Sequence, residues 1–169
     1  MTEQTMIEIG QAGAFMSVFL ASIGSTLGTG VAGVAAVGAW KKCYSQEKPA
    51  PFQLAIFAGA PLSQVIYALI MMILINNKIQ MANGFQNWHI CLALGILTGV
   101  GLGFSSWFMG VASAKCCDSF AETNKGFTNN LMIIGIMETI ALFIMVFAII
   151  LLNTVKIPGV VQAVEAVAK

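Results

Sequence analysis

Glu138 lies inside LMIIGIMETIALFIMVFAIILL, Leu131 to Leu152, an otherwise apolar run long enough to cross a bilayer. No other Asp, Glu or Lys sits well inside a long apolar run of this chain. A lone charge at mid-membrane depth costs roughly 2.5–3.5 kcal/mol on insertion scales, so an intramembrane carboxylate points to an ion or proton site. A shift of 74 residues carries Glu138 onto Gln64, Lys115 onto Lys41, Cys117 onto Cys43 and Ser119 onto Ser45, without a gap. The chain thus reads as two copies of one helical hairpin, with a carboxylate in the second where the first has an amide. As glue between helices a carboxyl needs no such counterpart.

These two side chains need apolar helices to carry them. The chain is 58% hydrophobic and 9% charged, against about 25% charged in soluble domains. That composition reads as an integral membrane protein, all-α, with lipid around it. Four apolar segments, 9–39, 52–75, 88–114 and 128–152, each exceed the ~30 Å hydrocarbon core at 1.5 Å per residue. The first hairpin is assigned to 1–80, the second to 81–153, and a C-terminal tail to 154–169. Gln64 falls roughly 18 Å into the second span and Glu138 roughly 15 Å into the fourth, from the same face, so both belong near mid-bilayer.

Charge sets the expected orientation. Lys41, Lys42, Lys48, Lys115 and Lys125 flank the first and third loops; Lys78, Lys156 and Lys169 lie on the other side. The bias puts loops 40–51 and 115–127 in the cytoplasm and both termini opposite. There is no basic block, which argues against nucleic acid, and no arginine, so any guanidinium in the mechanism comes from another subunit. The start, MTEQTMIEIG, has no basic region and does not read as a cleaved signal. Cys43, Cys91, Cys116 and Cys117 lack zinc or haem spacing and read as free thiols at helix ends or in short loops. Trp88 with His89 opens the third span and reads as an interfacial anchor. Trp40 reads as a boundary anchor and Trp107 as a packing or lipid-facing residue.

The first and third spans are striped with small residues, among them Gly24, Gly28 and Gly33 in one and Gly95, Gly99, Gly103 and Gly110 in the other. Small residues four apart let helix backbones approach closely. The second and fourth spans are rich in bulky Ile, Leu, Met and Phe. An inner layer of small-residue helices and an outer layer of large ones is what concentric packing requires.

Pro61, Ser63–Gln64 and Tyr67 on span two, Glu138–Thr139 on span four and the glycine-rich first helices together resemble one family. It is the rotary ATPase proteolipid, the K or c subunit of a V-type ATPase in its duplicated four-helix form, and the resemblance runs over about 12–152. It implies identical copies assembled into a rotor ring that turns against a stator subunit supplying an arginine. A central-stalk subunit joins the ring to a soluble ATP-hydrolysing sector. This chain would carry no hydrolytic residues and no cofactor, only transported Na+ or H+ at Glu138. In sodium-pumping relatives oxygens surround the ion, and the match carries over to the Ala60 carbonyl, Ser63, Gln64 and Glu138, with Tyr67 closing on the carboxylate. A glutamine of those relatives is replaced here by Met109, a soft, weak ligand. Thr139, Ser105 or Ser106 would then compensate, directly or through water. Sodium ranks ahead of the proton because Ser63–Gln64 and Glu138–Thr139 are both kept. The alternative is a small four-helix cation or drug antiporter, which needs an aromatic cage of which only Tyr67 is close; a tetraspan structural protein would leave Glu138 unexplained.

Overall fold

The computed structural model describes residues 1–155. The tail assigned to 154–169 therefore lies, from residue 156 on, outside the described residues. The described chain is helical: α1 (Glu3–Ser45), α2 (Leu54–Gly59), a 3-10 turn (Ala60–Leu62), α3 (Ser63–Gln80), a second 3-10 turn (Gly84–Asn87), α4 (Trp88–Thr123) and α5 (Phe127–Thr154). Among the described residues, four stretches are long and apolar enough to cross a membrane: α1, α2 through α3, the second turn with α4, and α5.

The helices outrun the apolar segments that predict them. The Thr2 hydroxyl caps α1 by accepting from the Thr5 amide, so α1 begins at Glu3 and runs past Lys41–Lys42 to Ser45. α4 continues through Lys115 and Cys116–Cys117 to Thr123. The loop expected at 115–127 shrinks to residues 124–126, where Asn124 and Gly126 take positive φ, 50° and 76°, to reverse the chain. A polar helix end needs no apolar stripe to persist, because its backbone bonds are made within the helix. The Lys42–Glu122 ion pair at 2.5 Å joins the extended ends of α1 and α4.

Among the described residues α1 and α4 share the most extensive contact, and glycine makes it possible. A Cβ on Gly24 would stand 2.0 Å from the Gly103 carbonyl oxygen, and one on Gly95 1.8 Å from the oxygen of Gly13. A Cβ on Gly110 would meet Gly28 Cα at 2.2 Å, and one on Gly99 would meet the Met16 oxygen at 2.7 Å. The stripe is therefore a backbone-to-backbone seam within one chain. Gly33 departs from it: a Cβ there meets nothing within 4 Å. α3 packs on both α1 and α4, while α5 packs on α4 and α3. Two layers result, a glycine-rich pair under a bulky pair. Between them sit three apolar clusters, the middle one made of Ala21, Ala68, Leu102 and Ala141. α5 leaves Ile133, Ile136, Ile140, Phe143 and Phe147 exposed.

Candidate ion site

Pro61 shapes the site. It has no N–H to give and its ring disfavours a regular α-helix around it. The second span tightens there into the 3-10 turn Ala60–Leu62, in which the Ser63 amide bonds the Ala60 carbonyl. The turn hands the chain to α3 with Ser63, Gln64 and Tyr67 on the side facing α5. Glu138 arrives from α5 between them.

Oxygens gather around the Ser63 hydroxyl. Glu138 Oε2 is at 2.8 Å, the Ala60 carbonyl at 3.1 Å and Gln64 Oε1 at 3.2 Å. Ser63 has one O–H and can give it to one of the three at a time. The cluster thus holds more acceptors than donors, an arrangement that a cation or an added proton relieves. The other carboxylate oxygen, Oε1, accepts from the Tyr67 hydroxyl. Gln64 is fully buried, with its amide nitrogen 3.5 Å from both Met109 Sδ and Glu138 Oε2. With the thioether of Met109 and the carboxylate accepting from the nitrogen, the amide oxygen is left to face Ser63. Glu138 itself is half-buried.

Sequence and geometry part at several residues. The structure brings Ala60, Ser63, Gln64, Tyr67 and Glu138 into one hydrogen-bonded cluster. Met109 is fully buried beside Gln64. Thr139 does not join them: it is exposed, and its hydroxyl bonds back to the Ile136 carbonyl of its own helix at 2.7 Å, as an intrahelical threonine readily does. Ser105 lines an apolar cavity of about 350 Å³ with Phe104, Phe108, Met137 and Ile140. Ser106 turns to the Pro61 carbonyl at 2.6 Å. Ser25, which the sequence does not single out, bonds the same carbonyl at 2.7 Å. Its only signal is its place beside Gly24 in the seam. All four cysteines are unbridged and buried; Cys43 and Cys91 lie near helix ends, as expected, whereas Cys116 and Cys117 lie inside α4 and not in a loop, because α4 runs on to Thr123. Trp40 donates from Nε1 to the Pro51 carbonyl at 2.8 Å, tying the first loop down.

Comparison with known proteins bears on the same residues. Residues 92–151, which hold most of α4 and α5 and include Glu138, match the family of the ATP synthase C subunit. The chain is also 29% identical, over 145 residues, to the A-type ATP synthase subunit K of Methanocaldococcus jannaschii; the match covers 85% of this chain. The chain is thus similar to V/A-type proteolipids. Its four long apolar helices among the described residues fit an integral, multi-pass membrane protein. The chain spans 61% of the length of that relative.

Proposed function

We propose that this chain is the ion-carrying subunit of a membrane rotor ring in a rotary ATPase, and that its cargo is Na+. The observation that carries the reading is the setting of Glu138, a half-buried carboxylate in an apolar helix, met by Ser63, Tyr67 and Gln64. Identical copies form the ring. A stator subunit supplies the arginine that this chain lacks, and a central stalk connects the ring to the soluble ATPase sector. Facing the stator, Glu138 is ionised and exchanges its ion with an aqueous path. Loaded, the site is neutral, and only a neutral site crosses lipid cheaply. The Ala60 carbonyl, Ser63 Oγ, Gln64 Oε1 and Glu138 offer hard oxygens suited to Na+. Met109 serves the site by taking the amide nitrogen of Gln64, not as a ligand. One carboxylate per four helices moves fewer ions per turn than one per two, which suits ATP-driven pumping. The antiporter reading is not favoured, since the family match covers the very hairpin that carries Glu138.

The test is modification of Glu138 by a hydrophobic carbodiimide in membranes, followed across pH with and without sodium. The reagent attacks the protonated carboxyl, so labelling falls as pH rises. Protection by sodium at fixed pH is the expected result. Labelling that follows pH alone makes the cargo a proton, and no labelling under any condition returns Glu138 to a packing role. The lysine bias places the ends of α1 and α4 in the cytoplasm. A cysteine put at Ser45 or Ser119 then reacts with an impermeant thiol probe from the cytoplasmic side only, and one at Gln86 from the opposite side only.

A further inference from the structure

We propose that Ser25 and Ser106 form a clamp on the Pro61 carbonyl and thereby position the ion site. The proposal deepens the carrier reading above and rests on it. The two hydroxyls come from different helices, Ser25 from α1 and Ser106 from α4, and converge on one oxygen at 2.7 and 2.6 Å. Both serines are buried, at 3% and 0% exposure, and Pro61 is buried with them. Two donors on one carbonyl fill both of its lone pairs.

The place of this carbonyl gives the clamp its consequence. It belongs to the middle residue of the turn Ala60–Leu62, with Ala60 before it and Ser63–Gln64 two and three residues after it. Those flanking residues supply the acceptor-rich cluster around Ser63 Oγ. Across a proline the regular ladder gives such a turn little support, so its geometry is held from outside. The glycine seam supplies that hold: Gly28 packs against the Ser106 backbone, where a Cβ would stand 2.4 Å from its oxygen and 3.1 Å from Pro61 Cβ. The close approach of α1 and α4 is what lets two short side chains reach one oxygen. Ser25 and Ser106 touch neither Glu138 nor its cargo, and act through the turn.

The experiment uses Ser25→Ala, Ser106→Ala and the double variant in membranes holding the whole complex. It reads the NaCl concentration that half-protects Glu138 from a hydrophobic carbodiimide, and the labelling rate without sodium, both at one pH. The intactness of the ring is followed beside them. Ser113→Ala is the control, because Ser113 Oγ is buried in α4 with no hydrogen-bond partner among the described residues; it behaves as wild type. Each single variant raises the half-protecting concentration about threefold, and the double raises it more than tenfold, because the second loss leaves a buried carbonyl unsatisfied. Labelling without sodium quickens in the same order. Intact rings with wild-type values in all three variants overturn the clamp and leave the carrier reading standing. If the double variant fails to assemble, the singles decide: raised values support the clamp and unchanged ones overturn it. If sodium does not protect even the wild type, the sodium assignment falls and the labelling rates decide the clamp in the same way. If wild-type Glu138 never labels, the carrier reading falls and the clamp with it.

Discussion

Tyr67 and Met109 bracket the site from opposite sides, and substitutions at each read its workings separately. Tyr67→Phe keeps the ring and removes the hydroxyl that bonds Glu138 Oε1. A hydrogen bond to a charged group is worth enough that its loss raises the half-protecting sodium concentration roughly tenfold. Met109→Gln acts in the other direction. It replaces a fully buried thioether with an amide whose oxygen can join the shell around Ser63, and lowers that concentration by about fivefold. Sodium titration of carbodiimide labelling checks both. An effect of the same sign for the two would mean that packing, not ligation, governs this pocket. The site's core was legible in sequence because Glu138 and Gln64 stand out in apolar runs and Pro61 announces an irregular turn. Thr139 lies outside the cluster because adjacency along a helix does not put two side chains on one face: consecutive residues point about 100° apart.

At the scale of the helix, glycines that look alike in sequence differ in what they face. A Cβ on Gly24 runs into the backbone of Gly103 at 2.0 Å, and backbone cannot turn aside. A Cβ on Gly10 runs into Ile79 Cδ1 at 1.8 Å, the far end of a flexible side chain. Gly24→Ala therefore forces α1 from α4 and costs about 1–3 kcal/mol, visible as a lower midpoint in thermal unfolding in detergent. Gly10→Ala costs less than Gly24→Ala in the same measurement. Gly33→Ala leaves the packing within the chain unchanged, since it faces open space. If the same substitution breaks the oligomer while the single chain stays folded, Gly33 belongs to a contact between copies. The sequence reveals the stripe but not the sector that each glycine occupies. That depends on how the two helices roll against each other.

At the scale of the whole molecule, a ring makes every copy answer for the others. The exposed apolar face of α5 and the half-buried Glu138 suit the proposed membrane ring, in which each site passes in turn. In the proposed rotor, one covalently blocked carboxyl stops rotation for its entire ring. ATP-driven sodium transport is expected to vanish when only a minority of chains carry the carbodiimide label, with the SDS-resistant oligomer still intact. Loss of transport in simple proportion to the labelled fraction would instead mark each chain as an independent carrier.

The sequence by itself determined the membrane class, the four spans and the carboxylate–amide pair at matching depth. These follow from composition, from apolar length and from an internal repeat, which are properties of the chain read in order. The tertiary structure decided where polar helix ends stop, which glycines carry the seam, and what the serines bond. Ser25 and Ser106 are 81 residues apart, and only the crossing of α1 and α4 at Gly24, Gly28, Gly103 and Gly110 brings both hydroxyls to the Pro61 carbonyl. Helix rotation and close approach are collective outcomes of packing, and no local pattern encodes them.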